Sequence, residues 1–174
     1  MSERKSLATI WLDGCSGCHM SFLDMDERLL DLLGQVDLVY SPLVDRKDFP
    51  EMVDFTLVEG AVSSEEDWHK IRKVREHTRT LISLGDCAVT ANVPSMRNPI
   101  GVKAILDRVA AGGSPRQPAY VPVLQPTARP VHTVVKVDVY VPGCPPSADT
   151  IFTVMQDLLA GLQPDIQALT RFGA

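Results

Sequence analysis

With 174 residues, 45% of them apolar and 22% charged, the chain has the composition of a single globular domain, one that buries about 70% of its unfolded surface. A net charge of −5 gives no basic field for nucleic acid or anionic lipid, and no apolar run approaches the roughly 18 residues that span a bilayer. The start, MSERKSLATIW, has neither a long apolar segment nor paired arginines, so no export signal is expected and the protein is read as cytoplasmic, where thiols stay reduced.

Leu7 to Leu12 (LATIWL) reads as a first strand, ended by Asp13-Gly14. After it, Phe22, Leu23, Leu29, Leu30, Leu32 and Leu33 recur at helical spacing up to Gly34, which the pattern makes a C-cap. Val36 to Tyr40 is a second strand closed by Ser41-Pro42, and Asp54 to Glu59 a third, ended by Gly60. Ser63 and Glu66 have the spacing of a capping box ahead of a charged helix that turns Trp68, Ile71 and Val74 inward. Thr80 to Leu84 is a fourth strand, stopped by Gly85, and a helix is expected over Ile100 to Ala111. Val134 to Val141 is a fifth strand ending at Pro142-Gly143, and Ile151 to Leu162 forms a last amphipathic helix.

Strands alternating with helices imply parallel neighbours joined by right-handed crossovers. Five of them predict an α/β fold over the single domain 1–174: a flavodoxin-like, open, mainly parallel five-stranded sheet with helices on both faces, in the order 2-1-3-4-5. Gly112 to Thr133 stands apart because it carries Pro115, Pro118, Pro122, Pro126 and Pro130. Such a stretch cannot join a central sheet; it is expected to be a loop, either solvated or lying on a partner.

The four cysteines decide the chemistry. Cys15 and Cys18 follow the first strand, Cys87 the fourth and Cys144 the fifth, each by a few residues. In a parallel sheet these strand ends share one edge, where open α/β folds bind ligands, so separations of 69 and 57 residues close into one corner. Gly14, Gly17 and Gly143 precede three of the sulfurs and let the backbone approach closely. Four thiolates suit a 4Fe–4S cubane, one per iron. Zinc also takes four thiolates, but its structural sites usually pair two short knuckles, whereas here one pair must meet two distant single cysteines. A thioredoxin-like dithiol at Cys15 and Cys18, and inert core cysteines, are the remaining readings. The cubane is the favoured reading.

The segments GCSGCHMSFLD, VEGAVS, SLGDCAVTANVPSMRNP and VDVYVPGCPPSADTI together resemble the small subunit of nickel–iron hydrogenases, in the short form of soluble NAD-reducing enzymes. The resemblance runs from about Leu7 to about Leu162. It implies that Cys15, Cys18, Cys87 and Cys144 ligate one 4Fe–4S cluster. VEGAVS, at the end of the third strand, places Glu59, Gly60 and Ser63 near that cluster or a partner surface. The quinone-linked subunit of respiratory complex I is similar in fold but has adjacent cysteines at its first site; here Ser16 and Gly17 separate them, which favours hydrogenase.

Once a cubane is built no cysteine is left for a Ni–Fe centre, so the resemblance puts H2 splitting in a large-subunit partner. Electrons would leave toward iron–sulfur and flavin diaphorase subunits that reduce NAD+. A complex I-like quinone-linked role and a dithiol oxidoreductase are the alternatives. An FMN bound nearby is conceivable on a flavodoxin-like edge, although cysteines occupy the loop where its phosphate would sit. His19 is read as a helix-start residue, with donation to a cluster sulfur as the alternative, and Trp11 as core. His69, His77 and His132 are assigned to no metal, and Asp24, Asp26 and Glu27 to a solvated face.

Overall fold

The computed structural model describes residues 4–109 and 121–170. Five parallel strands form the central sheet: β1 (Lys5–Trp11), β2 (Val36–Tyr40), β3 (Val53–Glu59), β5 (Thr78–Leu84) and β7 (Val139–Val141). Their order is β2-β1-β3-β5-β7, the doubly wound arrangement expected from the alternation of strands and helices. β4 (Val62–Ser64) and β6 (Leu124–Arg129) pair antiparallel in a separate two-stranded sheet.

Because both faces of the central sheet are covered, its strands are apolar at successive positions. One face packs α1 (Gly17–Leu23), α2 (Glu27–Gln35) and α7 (Ala148–Leu159) over Leu7, Leu57 and Ile82, with Phe22, Met25 and Met155 buried between. The other packs α3 (Glu65–Glu76) and α4 (Asp86–Thr90) over Ile10, Val58 and Leu81. Ile71 and Val74 of α3 are buried as expected, each worth about 2 kcal/mol in apolar surface removed from water. Trp68 is only half-buried, with the Arg72 guanidinium 4.3 Å from its ring centre.

Several expectations need correction. The helix read up to Gly34 is two helices, broken where Asp26 takes φ 51° and Met25 turns inward; Gly34 lies inside α2, not at its cap. The α3 capping box is Ser64 with Asp67: the Asp67 N–H donates to Ser64 Oγ at 3.1 Å, and the Ser64 N–H to Asp67 Oδ2 at 3.0 Å. It sits one residue later than Ser63 and Glu66 because β4 consumes the intervening residue. The last helix starts at Ala148, capped by Ser147, which accepts from the Thr150 N–H. Helix α6 (Val102–Val109) lies within the expected Ile100 to Ala111, whose last two residues fall outside the described ones.

The proline-rich stretch stays out of the central sheet, yet its residues 124–129 form β6 rather than a loop. Arg97 and Asn98, on the turn after α5 (Asn92–Ser95), hold it: Arg97 donates to the Gln125 carbonyl at 2.9 Å, and Asn98 exchanges two bonds with the Ala128 backbone. Residues 112–120 of that stretch lie outside the described residues.

The fifth strand is shorter than expected. Val131–Thr133 forms a 3-10 turn, and Val134 and Val135 pack against the α3-side core instead of extending the ladder. At the entry to β7, Asp138 takes the Leu81 N–H at 2.9 Å through its carboxylate, and Arg75 of α3 pairs with the same oxygen at 2.5 Å. Burial raises the Asp138 pKa, but the Leu81 N–H, Arg75 and Lys136 outweigh it and hold the carboxyl below its ordinary 3.8. Asp138→Asn is therefore expected to cost about 2 kcal/mol at pH 7 in urea unfolding. A depressed folded-state pKa gives stability that is full above the unfolded value and lost as pH falls through the folded one. The gap between wild type and variant should close below about pH 3.8; a gap unchanged from pH 7 to pH 3 would show that the charge contributes nothing.

Candidate metal centre

All four cysteines are free thiols and all four line one hollow of about 60 Å³ at the C-terminal edge of the sheet. Cys15 comes from the turn between β1 and α1, Cys18 from the first turn of α1, Cys87 from the first turn of α4 after β5, and Cys144 from the loop between β7 and α7. The positions that the sequence separates by scores of residues thus meet, as expected. Cys18 and Cys87 are buried, whereas Cys15 and Cys144 are exposed, so the hollow has a protein side and an open side. On the open side a second hollow of about 180 Å³ shares Cys15, Cys87 and Cys144 and adds Val93 and Pro94. Larger hollows of about 400 and 450 Å³ lie at the opposite strand ends, around Lys5 and Arg79, where Arg79 is already paired to Asp54 at 3.1 Å.

The loops are fastened to one another. The Asp86 N–H donates to the Gly143 carbonyl at 2.8 Å, and the Gly143 N–H returns to Asp86 Oδ1 at 2.7 Å, tying the Cys87 and Cys144 loops together. Ser21 of α1 donates to the Pro146 carbonyl at 2.5 Å, tying the first cysteine pair to the last. Gly85 precedes this junction at φ 82°, and a Cβ there would stand 2.2 Å from Cys18 Sγ. Only a residue with no side chain leaves room for that sulfur.

Two carboxylate residues, Glu59 and Asp86, line the hollow with the thiols, and Glu59 is buried at 2% exposure. Its Oε2 accepts the His19 N–H at 2.9 Å and lies 2.5 Å from His19 Nδ1. His19 sits in the first turn of α1, as expected, but is buried there as the partner of Glu59, and its Nε2 is buried without a hydrogen-bond partner among the described residues. Trp11 is 37% exposed instead of core and meets the His19 ring edge-on at 5.1 Å. Gly60 packs its α-carbon onto the Leu12–Asp13 backbone at φ 91°. Ser63 does not line the hollow; it helps cap α3 through Asp67. His69 and His132 are exposed, His77 bonds the Lys73 carbonyl, and Asp24, Asp26 and Glu27 face solvent, as expected.

Crowding sulfur with carboxylate has an electrostatic cost. Burial, then Glu59 and the other three cysteines, push the Cys18 thiol far above the ordinary thiol range. Burial also raises Cys87, against which the Val93 N–H works as a donor to its sulfur. Four thiolates beside Glu59 repel one another strongly unless cationic charge sits among them, which is the chemistry of a metal-binding donor set. Among the described residues no group of three or more His, Cys, Asp or Glu side chains is arranged to hold a metal ion. A single zinc would draw its sulfurs to about 2.3 Å from one point.

The family model described as NADH ubiquinone oxidoreductase, 20 Kd subunit, matches residues 15–158, which contain all four cysteines. The chain belongs to the NADH ubiquinone oxidoreductase 20 Kd subunit family. Within this family it is similar to hydrogenase subunits, as the resemblance of its motifs implied. It is 46% identical over 169 residues to the NAD-reducing hydrogenase HoxS subunit delta of Cupriavidus necator, covering 92% of this chain and 81% of that one. It is 35% identical to a subunit of the F420-non-reducing hydrogenase of Methanocaldococcus jannaschii, over 90% of this chain and 57% of the relative. A chain in the crystal structure of an NAD+-reducing [NiFe]-hydrogenase in the H2-reduced state superposes with a TM-score of 0.92 at 37% identity, covering 98% of this chain and 99% of that one.

Sequence reasoning missed three members of the site: Asp86, His19 as the partner of Glu59, and Asn92, whose Nδ2 lies 3.7 Å from Cys144 Sγ. The adjacency of Asp86 to Cys87 was a signal in the sequence; the other two depend on chain crossings that no local pattern announces.

The tight seat of Cys18 gives a test. Gly85→Ala combines a left-handed backbone, about 1–2 kcal/mol, with overpacking of roughly 1–3 kcal/mol, and should lower stability in urea unfolding by their sum. Gly17→Ala, whose Cβ would stand 3.3 Å from Cys15 Sγ, should cost under about 1 kcal/mol. Equal losses in the two variants would contradict the seat.

Proposed function

We propose that this chain is the electron-transfer small subunit of a cytoplasmic NAD-reducing nickel–iron hydrogenase. Cys15, Cys18, Cys87 and Cys144 hold one 4Fe–4S cluster. The observation that carries the reading is the meeting of four free sulfurs from three strand-end loops at one hollow, in a chain close in sequence and fold to subunits of NAD-reducing hydrogenases. When bound, the cluster supplies one-electron storage between H2 oxidation at a Ni–Fe centre in the large subunit and NAD+ reduction by iron–sulfur and flavin diaphorase subunits.

The chain's own residues prepare the place. Cys18 and Cys87 anchor the buried side, and Cys15 and Cys144 present the open side on which a partner can approach. Asp86 and Gly143 keep two of the loops in register, and Ser21 locks α1 to the third. Glu59, held by His19, places a fixed carboxylate against the buried sulfurs, a charge that tunes whatever they bind. FMN forms no part of this reading, since the turn after β1 is occupied by Cys15 and Cys18.

The test is the assembled complex carrying Cys87→Ser or Cys144→Ser. H2-dependent NAD+ reduction should fall at least about 100-fold in either, because a ligand is lost from the only electron route through this chain. A thioredoxin-like dithiol needs Cys15 and Cys18 alone, so Cys87→Ser would then leave activity intact; that result would overturn the proposal. H2-dependent reduction of a quinone in place of NAD+ would favour the complex I-like alternative.

A further inference from the structure

The turn between α4 and α5 reaches back over the site in a way that the ligand role of the cysteines does not require. Ala91, a non-glycine residue, sits in the left-handed region at φ 64° and is buried at 1% exposure. Its N–H is held by the Cys87 carbonyl at 3.0 Å, and its own carbonyl takes the Ser95 N–H at 2.8 Å. The next residue delivers a donor to a sulfur. The Asn92 side-chain Nδ2 lies 3.7 Å from Cys144 Sγ, across 52 residues of sequence. Ser95 Oγ donates to the Asn92 carbonyl at 2.8 Å, which fixes the backbone from which the amide projects. Val93 and Pro94 then wall the open side of the hollow beside Cys15, Cys87 and Cys144.

An N–H aimed at a thiolate withdraws negative charge from the sulfur. The reduced state of an iron–sulfur cluster carries one more electron than the oxidised state, so such a donor stabilises it more and raises the potential. The side-chain donor of Asn92 can be varied by substitution without changing the backbone chemistry, and it acts on Cys144, one of the two exposed sulfurs.

We propose that Asn92 sets the reduction potential of the bound cluster: its side-chain amide donates to the Cys144 sulfur and raises the potential at which the cluster accepts its single electron. This rests on the cluster proposed above for the four cysteines. Asn92 breaks no bond and carries no charge in the transfer; one electron enters the oxidised cluster and one leaves the reduced cluster. With the donor removed, the cluster becomes the weaker acceptor for electrons from H2 and the stronger donor to the next carrier.

The experiment is an EPR-monitored redox titration of the cluster in the assembled complex, wild type against Asn92→Leu, Asn92→Asp and Asn92→Gln. Asn92→Leu keeps the volume and loses the donor, so its midpoint should fall below that of wild type. Asn92→Asp loses the donor and adds a negative charge, so it should fall further. Asn92→Gln, which retains an amide, should lie between wild type and Asn92→Leu. Midpoints of the Leu and Asp variants equal to wild type, with the cluster signal intact, would overturn the proposal. In wild-type complex labelled with 15N in asparagine side chains, pulsed EPR of the reduced cluster should detect coupling to one amide nitrogen; its absence would overturn the proposal even where the Leu and Asp variants fail to hold a cluster. A wild-type complex with no cluster signal from this chain would instead refute the cluster itself, which keeps the two failures apart.

Discussion

Asp86 and Gly143 exchange two hydrogen bonds across 57 residues, and the site depends on that exchange. A parallel sheet brings strand ends to one edge but does not set loops at sulfur-to-sulfur distances. The β5 and β7 loops come into register because one aspartate satisfies both a backbone carbonyl and a backbone N–H of its neighbour. The first loop is added by Ser21, which reaches from α1 to the Pro146 carbonyl. The glycines matter in the same way: at Gly85 the space where a side chain would begin is filled by the Cys18 sulfur. The backbone is drawn tight so that the thiols can be near one another, against a repulsion that grows once they ionise.

That repulsion is relieved by positive charge placed among the sulfurs, which is what the proposed cluster would supply. Burial and neighbouring anions raise Cys18, and Glu59, rather than a lysine or arginine, completes the hollow. A thiol pair meant for disulfide exchange is usually built the other way, in surroundings that lower the pKa of the attacking sulfur. The Asn92 side-chain amide donates to Cys144, one of the two exposed cysteines. His19 and Trp11 extend the site to the surface on the other side of Glu59, where the sequence suggested only a helix start and a core tryptophan.

The sheet order and the meeting of the cysteines were legible because both follow from strand ends. DFTLVE and TLISL each stop directly before a glycine and LATIWL with only Asp13 between it and Gly14, and parallel topology carries those stops to one edge. What was not legible came from contacts between distant segments. Residues 124–129 form a strand because Arg97 and Asn98 pin them beside β4; nothing in a proline-rich run announces this. The fifth strand is cut short because an aspartate side chain takes the bond that another backbone residue would have taken. The capping box slipped by one residue because β4 runs through Ser64, so the reciprocal bonds close between Ser64 and Asp67. Family membership and the likeness to the HoxS delta subunit agree with the motifs that carried the resemblance, above all the spacing of Cys15 and Cys18 and the separate loops of Cys87 and Cys144.

The most direct measurement is the metal and sulfide content of the complex purified without oxygen, with iron assigned to this chain by Mössbauer spectroscopy of an 57Fe-enriched sample. The expected result is a single cubane, about four irons and four acid-labile sulfides on these four cysteines. One zinc per chain with no acid-labile sulfide, or thiols that remain free in the intact complex, would contradict it.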